Sequence, residues 1–278
     1  MSRTVTVATV VVFGEPAVGK SLLLANLAAL NKLDLSDEPF YACIGEPTSE
    51  PEISAAIKRV YEESGDAIES GRSEAIDVQA LILKRRIEQF HEFFELGLAR
   101  ALKAARAAGR RTLVVVCDGH TLTDSYLYVR SRIASGQIRA DEFAAHEVRQ
   151  RTLLGGVQPA LAVPDAFVQL AIGDRSGETH RHRIVEYRRT ATECNVAPHT
   201  FAELARHADM ARVELERRFA GAAFARLTTD DKTPRQVCNA FRLVVRRCAL
   251  DGATRTVPVL GRALDGALSP RATGVSMQ

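Results

Sequence analysis

Apolar and polar positions divide the chain into two alternating kinds of segment. Short runs that are apolar almost throughout and rich in β-branched residues predict buried strands at 5–13, 41–44, 112–117, 166–172 and 224–228. Between these runs, apolar residues recur at helical spacing, most clearly at 22–30, 74–107 and 198–219. No strand alternates between apolar and polar residues, so both faces of the sheet should be covered. The pattern predicts an α/β fold with a central parallel five-stranded sheet and helices on both faces.

The composition supports one globular unit. The chain has 278 residues, of which 46% are hydrophobic and 26% are charged, and this is enough to bury a full core. Residues 251–278 are rich in Gly, Ala, Ser and Pro and contain few large apolar groups. We therefore expect one domain over 1–250, followed by a flexible C-terminal tail over 251–278.

Charge and cysteine content exclude several classes of protein. Lys and Arg total 37 against 34 Asp and Glu, and this small excess is spread along the chain, which argues against a sequence-independent nucleic-acid binder. The five cysteines show no CxxC spacing, which favours a reducing compartment without structural zinc. The apolar run at 5–13 is too short to span a bilayer, and the four residues before it leave no room for a signal peptide. The prediction is a cytoplasmic protein without a membrane partner.

The loop after the first strand carries the strongest motif. Its eight residues fit GxxxxGK[ST] and lie between a predicted strand and a predicted helix: Gly14, Glu15, Pro16, Ala17, Val18, Gly19, Lys20 and Ser21. Backbone N–H groups of such a loop surround phosphates, and the helix N-terminus adds its positive pole. Lys20 would reach the β- and γ-phosphates, while the Ser21 hydroxyl would bind Mg²⁺. The motif predicts a binding site for a nucleoside triphosphate.

Two acidic residues follow strands that should end at the same edge as this loop. Asp118 follows the strand at 112–117, where a carboxylate could hold Mg²⁺ or position a nucleophile. Glu46 follows the strand at 41–44 and could accept the proton of a substrate hydroxyl during phosphoryl transfer. Helix capping is the alternative role for each residue.

The segment 180–189, HRHRIVEYRR, is unusually rich in arginine. Mobile arginines that close over a triphosphate would explain it, and a solvated surface helix is the alternative. The chain has no NKxD motif and no DxxG motif in a suitable context, which argues against a GTPase or a motor ATPase. Phosphorylation of a small molecule fits these residues better.

Taken in order and spacing, the motifs from about 5 to 245 resemble the deoxynucleoside kinases, a P-loop family. The resemblance implies that Glu46, in GEP, is the base on the sugar 5′-hydroxyl, and that Gln79 hydrogen-bonds the nucleobase edge. Arg86 and Asp124 match residues of the branch that accepts deoxyadenosine, deoxyguanosine and deoxycytidine. Thymidine is then disfavoured, because the Asp–Arg–Gln set suits a base with an exocyclic amino group.

The resemblance also assigns the sugar, lid and adenine contacts. It implies that Tyr61 and Glu193 bind the 3′-hydroxyl, and that Arg183, Arg188 and Arg189 belong to the lid. The sequence TTDDKTP at 228–234 would fold over the adenine of ATP, with two contact residues, Asp230 and Lys232. Catalysis would then depend on Glu46, Lys20, Asp118, Arg188 and Arg189. The implied cofactors are ATP and Mg²⁺, and the implied assembly is a homodimer that functions in nucleotide salvage.

One position departs sharply from this family. After the third strand the family reads Asp/Glu-Arg-Ser or Asp-Arg-His, whereas this chain reads Asp118-Gly119-His120. His120 or a lid arginine could substitute, the acceptor could differ, or the protein could bind nucleotide without catalysis. Gly119→Arg should raise activity if the site only lacks its usual residue, and lower it if another group occupies that space. The predicted activity is deoxynucleoside phosphorylation, with a nucleoside monophosphate kinase and a degenerate kinase-like binding protein as alternatives.

Overall fold

A computed structural model describes residues 4–33, 35, 37–62, 74–134, 136, 138–155, 164–188, 198–250 and 255–257. Within those ranges, no helix is both long enough and apolar enough to cross a lipid bilayer.

Five parallel strands form the central sheet, as the apolar runs predict. They are β1 (Val5–Phe13), β2 (Phe40–Ile44), β3 (Thr112–Asp118), β4 (Ala166–Ala171) and β5 (Ala223–Thr228). Their order across the sheet is β2-β3-β1-β4-β5. The predicted α/β fold with a parallel five-stranded sheet is therefore confirmed.

A sixth strand, which the sequence pattern does not predict, extends this sheet. β6 (Arg255–Val257) pairs antiparallel with β1, with Thr256 opposite Thr6. It runs beside the first residues of β1, while β4 pairs with β1 from Val10 onward. β6 falls within the segment for which a flexible tail is predicted, and the rest of 251–278 lies outside the described residues.

The helices cover both faces of the sheet. They are α1 (Lys20–Leu30), α2 (Pro51–Glu62), α3 (Glu74–Glu92), α4 (Leu98–Ala107), α5 (Thr121–Asp124), α6 (Arg130–Ala134), α7 (Ala140–Gly155), α8 (Glu178–Arg183), α9 (Pro198–Arg218) and α10 (Pro234–Val244). Wider π-helical turns follow four of them, at Phe93–Gly97, Ser125–Val129, Ile184–Arg188 and Val245–Leu250. The first of these turns joins α3 to α4, so the long helix predicted over 74–107 contains a π-helical turn near its middle.

The core consists of two apolar layers that share the central strand. Ala8, Val10 and Val12 of β1 pack into one buried cluster with residues of α1 and α10, including Leu27 and Phe241. The alternate residues of β1 pack on the other face against α3, α4 and α9. Because side chains of a strand point to alternate faces, a strand covered on both sides is apolar at nearly every position. This explains the run at 5–13, in which only Thr6 and Thr9 are not apolar.

The strand register brings the predicted site residues to one edge. Val12 of β1 lies opposite Asp118 of β3, and Cys117 lies opposite Ile44 of β2. The backbone N–H of Gly119 donates to the carbonyl of Val12 at 2.7 Å. The residues that follow β1, β2 and β3 therefore leave the sheet together, at the edge where ligands of parallel α/β sheets bind.

Candidate active site

The GxxxxGKS segment forms a tight loop between β1 and α1. Gly14 has a φ of 145°, and a Cβ atom there would lie 2.1 Å from the Leu170 carbonyl oxygen, so only glycine fits. The Lys20 ammonium donates to the carbonyls of Gly14 at 2.9 Å and Glu15 at 3.1 Å. Ser21 is exposed in the first turn of α1. The loop thus has the form that surrounds phosphates with backbone N–H groups beside a helix N-terminus.

A buried carboxylate lies beside this loop. Asp118 ends β3, and its Oδ1 atom is buried with no hydrogen-bond partner among the described residues. Burial raises the pKa of Asp118 to about 6; the negative charges of Glu46 and Asp124 act in the same direction, whereas Lys20 and Arg86 oppose the rise. Asp118 therefore belongs to one group of interacting charges that also contains Lys20 of the loop.

Arg86 occupies the centre of this group. Its side chain is 1% exposed, its Nε donates to the Asp124 carboxylate at 2.6 Å, and its Nη1 donates to the Asp118 carbonyl at 2.5 Å. Burial lowers the pKa of the Arg86 guanidinium, but the carboxylates of Asp124, Glu46 and Asp118 raise it by more. Burial raises the pKa of Asp124 to about 6 against the opposing charge of Arg86. Arg86 is thus a buried cation surrounded by three acidic residues.

The other predicted nucleoside contacts lie on the elements around this group. Gln79 and Arg86 are two turns apart on α3, on the same side of the helix, and both are buried. Glu46 is the second residue after β2 and precedes a short 3₁₀ turn at Pro47–Ser49. Tyr61 lies near the end of α2. Glu193 lies outside the described residues.

Gly119 leaves no space for a larger side chain. Its φ is 82°, and a Cβ atom there would lie 2.8 Å from Nη2 of Arg86 and 3.2 Å from Oδ1 of Asp124. The space beside Asp118 is therefore occupied by the Arg86 guanidinium, which approaches from α3. The arrangement gives a local steric reason for glycine at this position.

His120, a candidate substitute for the family arginine, has a packing role. It is buried, and its Nδ1 accepts from the Leu122 N–H at 3.2 Å, which caps the N-terminus of α5. Its ring packs near three aromatic rings, those of Phe90, Phe167 and Phe219. These contacts fix His120 as a helix cap within an aromatic cluster.

The predicted lid and adenine-loop residues meet at the ends of β4 and β5. The Arg183 guanidinium donates to the Thr229 hydroxyl at 2.9 Å and to the carbonyls of Thr229 at 2.5 Å and Asp230 at 3.2 Å. The Asp230 carboxylate accepts from the Gly173 N–H at 2.7 Å, and Lys232 donates to the Thr228 hydroxyl at 3.2 Å.

The other two predicted lid arginines follow α8. Arg188 ends the turn Ile184–Arg188, whereas Arg189 lies outside the described residues.

The donors at this edge fit Mg²⁺ only in company with a nucleotide. Across the described ranges, no group of three or more His, Cys, Asp and Glu residues could hold a metal ion by itself. Ser21 offers an exposed hydroxyl, and Asp118 offers a buried carboxylate oxygen without a hydrogen-bond partner among the described residues. Mg²⁺ prefers oxygen ligands and usually keeps several waters beside one or two protein groups and substrate phosphates. Ser21 and Asp118 are therefore suitable ligands for a nucleotide-bound ion.

Two residues at this edge had no separate role in the sequence-based predictions. The Glu15 side chain is fully buried rather than directed at solvent, and it lies 3.2 Å from Nε2 of His180, which is also fully buried. The sequence offered only weak signals: an acid at a variable loop position, and a histidine within a run of arginines.

The GxxxxGKS loop at the carboxyl edge of this parallel sheet is typical of P-loop proteins, and the similarity to solved structures identifies a P-loop kinase fold. No family model matches the sequence, and no curated protein matches it. Among solved structures, the chain is similar to deoxyadenosine kinase from M. mycoides with bound dCTP, with a TM-score of 0.55 and 15% identity over 85% of this chain and 98% of that one. The same enzyme with bound dATP gives a TM-score of 0.54 at 15% identity, with the same coverage of both chains. At this identity the likeness establishes the fold.

Proposed function

We propose that this protein transfers the γ-phosphoryl group of ATP to the 5′-hydroxyl of a deoxynucleoside, in nucleotide salvage in the cytoplasm. The observation that carries the proposal is the buried Arg86–Asp124 pair, which lies with Asp118 at the same sheet edge as the P-loop. A buried guanidinium paired with a partly exposed carboxylate, beside a phosphate-binding loop, suits recognition of a second, uncharged substrate. The fold, which this chain shares with deoxyadenosine kinases, supports the same reading.

The phosphate end of the reaction would depend on the loop. The backbone N–H groups of 14–21 would bind the β- and γ-phosphates, and Lys20 would move from its carbonyl partners onto them. Ser21 and Asp118 would hold Mg²⁺, which when bound neutralises charge on the phosphates. We place Arg183, Arg188 and Arg189 in the lid, where arginines would stabilise the transferring phosphoryl group. Asp230 and Lys232 would contact the adenine through their loop.

Glu46 is the proposed base. It would accept the proton of the 5′-hydroxyl while the 5′-oxygen forms a bond to the γ-phosphorus. The bond between that phosphorus and the β–γ bridging oxygen breaks, and ADP leaves with the electron pair. Glu46 is the second residue after β2, and it interacts electrostatically with Arg86 and Asp118. This neighbourhood supports a catalytic role over simple helix capping.

Nucleobase selection would depend on Gln79, Arg86 and Asp124. A carboxylate accepts hydrogen bonds, and a guanidinium donates them, so Asp124 with Arg86 suits a base that has an exocyclic amino group beside an acceptor. Deoxyadenosine, deoxyguanosine and deoxycytidine have such a group, whereas the base of thymidine has two carbonyls and no amino group. Tyr61 and Glu193 would bind the 3′-hydroxyl. Thymidine should therefore be the poorest of the four substrates.

Arg86 is also the proposed replacement for the arginine that the resemblance expects at 119. Its guanidinium is close enough to Gly119 that a Cβ atom there would collide with it. It already hydrogen-bonds Asp124 and the Asp118 carbonyl, and the charge of Glu46 raises its pKa. One cation from α3 would then serve both the nucleobase pocket and the carboxylates of the reacting centre.

The proposal is tested with purified protein, Mg-ATP and a panel of deoxynucleosides and monophosphates, with Lys20→Ala as the inactive control. Products formed from nucleosides support it. Products formed only from monophosphates would identify a nucleoside monophosphate kinase instead. ATP binding without turnover on any acceptor would identify a degenerate binding protein. Light scattering of the same sample tests the proposed homodimer, for which the expected mass is about 61 kDa, twice 30.3 kDa.

A further inference from the structure

The side chain of Glu15, the second residue of the P-loop, points into the protein and not toward the phosphates. It is fully buried, and its Oε1 accepts from the backbone N–H of Ile172, just beyond β4, at 3.2 Å. The same oxygen lies 3.2 Å from Nε2 of His180 on α8. Through its backbone carbonyl, Glu15 also accepts from Lys20. One loop residue thus contacts the lysine, the sheet and the helix that carries the arginine-rich segment.

His180 is held as firmly as its partner. Its ring is fully buried and stacks on Phe201 of α9, with 5.7 Å between ring centres and 2° between ring planes. Because Oε1 of Glu15 already accepts from the Ile172 N–H, we assign the donor role in the contact with this oxygen to Nε2 of His180. Among the described residues, Oε2 of Glu15 and Nδ1 of His180 are buried without a hydrogen-bond partner. Each residue therefore supplies a hydrogen-bond partner that offsets part of the free-energy cost of burying the other.

The same helix contacts the loop a second time through Arg183, one turn after His180. Its Nη1 lies 3.5 Å from the carbonyl of Ala17, and its other contacts lie on Thr229 and Asp230. Ala17 has a φ of 64°, a conformation that a residue with a side chain keeps only where its surroundings impose it. Two points of α8 therefore hold two points of the P-loop.

The start of α8 is also fixed in place. Gly177, its N-cap, has a φ of 84°, and a Cβ atom there would lie 1.9 Å from the carbonyl oxygen of Pro198 at the start of α9. Only glycine permits this approach. The helix therefore cannot shift along α9 without breaking either this contact or the Glu15–His180 pair.

We propose that Glu15 and His180 are positioning residues that couple the P-loop to α8, so that the loop and Arg183 are set in place together for ATP. This inference rests on the proposed function and concerns its nucleotide half. It predicts that loss of the pair weakens nucleotide binding and slows phosphoryl transfer, while binding of the nucleoside is unchanged. A residue that served only global stability would affect both substrates equally or neither.

Substitutions at 180 separate the hydrogen bond from the packing. His180→Phe keeps a ring against Phe201 and removes the donor, whereas His180→Gln restores a donor at the Nε2 position. His182→Phe is the matched control, because His182 is exposed on the same helix. The probe is the affinity for a non-hydrolysable Mg-ATP analogue, measured by calorimetry on protein whose folding is verified by its melting temperature. Steady-state KM for ATP and for the nucleoside provides the second readout.

We expect His180→Phe to weaken analogue binding about ten- to hundredfold, the usual effect of losing a hydrogen bond to a buried charge. His180→Gln should recover most of the affinity, and His182→Phe should match the wild type. Unchanged affinity in a folded His180→Phe protein would overturn the inference, as would a rise in the nucleoside KM equal to that for ATP. If the wild type binds the analogue but phosphorylates no nucleoside, only the proposed function fails, because the coupling is measured by nucleotide affinity.

Discussion

The Nη2 atom of Arg86 lies 2.8 Å from the place where a Cβ atom on Gly119 would stand. Any side chain at 119 must displace that guanidinium and must also adopt a φ of 82°, which costs about 1–2 kcal/mol for a residue other than glycine. We therefore expect Gly119→Arg to lower activity and stability, although the resemblance alone would suggest a gain. The measurements are kcat for deoxynucleoside phosphorylation and the melting temperature.

Gly221→Ala provides the control for this prediction. A Cβ atom at Gly221 would have no neighbouring atom within 4 Å, and the φ of Gly221 does not lie in the left-handed region. Gly221→Ala should leave kcat and the melting temperature almost unchanged. An increase in kcat for Gly119→Arg would show that the space beside Asp118 is available, and that Arg86 does not replace the family arginine.

Removal of the Arg86 charge should disrupt the site and the fold together. Arg86→Gln leaves Asp124 buried without its ion pair, and breaking a buried pair from one side costs about 3–5 kcal/mol. Arg85→Gln is the neighbouring control, because Arg85 forms partly exposed pairs with Glu50 and Glu92. Such pairs contribute about 0–1 kcal/mol. Urea unfolding of the two variants gives the comparison, and equal losses of stability would contradict the central role assigned to Arg86.

Protonation of Asp118 should make the nucleotide-free protein more stable in mild acid than at neutral pH. Its folded pKa is about 6 and its ordinary value is 3.8, so the folded state binds the proton more tightly than the unfolded state. The stabilising contribution of that proton is complete below about pH 4 and is lost as the pH rises through 6. Asp118→Asn should therefore raise the stability at pH 7 by about 3 kcal/mol, the free-energy equivalent of a pKa raised from 3.8 to about 6, and reduce the pH dependence between 4 and 6.

Thermal melts of the wild type and Asp118→Asn at pH 5 and pH 7.5 test this effect. Asp37 is an exposed residue that precedes β2 and is far from the carboxyl edge of the sheet. The melting temperature of Asp37→Asn should therefore match that of the wild type at both pH values. The Asp118→Asn protein should also lose phosphoryl transfer, since Asp118 is a proposed Mg²⁺ ligand. A destabilised Asp118→Asn protein at pH 7.5 would show that burial and Glu46 do not oppose the charge of Asp118.

Base selection can be tested at Gln79. Its amide can both donate to and accept from a nucleobase edge, so Gln79→Leu should raise KM for deoxyadenosine by about ten- to hundredfold through one or two lost hydrogen bonds. The KM for ATP should not change, because Gln79 lies on α3 rather than on the P-loop. Gln89 lies farther along α3, and its Nε2 donates a hydrogen bond to the Glu50 carboxylate at 3.3 Å. Gln89→Leu is therefore the matched control. Equal effects of the two substitutions on KM for deoxyadenosine would contradict the assignment of Gln79.

Local patterns were sufficient to predict most of the fold. The strand at 5–13 is covered on both faces, so all of its positions except Thr6 and Thr9 are apolar and the run is easily recognised. The loop at 14–21 is specified by nearby residues: the close approach of the Leu170 carbonyl requires glycine at 14, and Lys20 donates to the Gly14 carbonyl. β6 could not be predicted, because three residues in a segment of small and polar residues pair with β1 only through long-range contact.

The tertiary relationships of the site were beyond sequence reasoning for a similar reason. At position 119 the sequence shows only that the arginine of the resembled family is absent. The side chain that occupies this space belongs to Arg86, more than thirty positions earlier on α3. His120 appeared as a candidate substitute, yet its neighbours are aromatic rings from three distant parts of the chain. The Glu15–His180 pair joins residues 165 positions apart. Spacing within a motif carries no information about such partners.

The most direct test of the central claim is the chemical identity of the product. The purified protein should be incubated with Mg-ATP and deoxyadenosine, deoxyguanosine or deoxycytidine, and the products analysed by mass spectrometry and phosphorus NMR. We predict the deoxynucleoside 5′-monophosphate and an equal amount of ADP, with neither formed by Lys20→Ala. If the wild type binds Mg-ATP but forms no 5′-monophosphate from any of the three nucleosides, the proposed function is wrong.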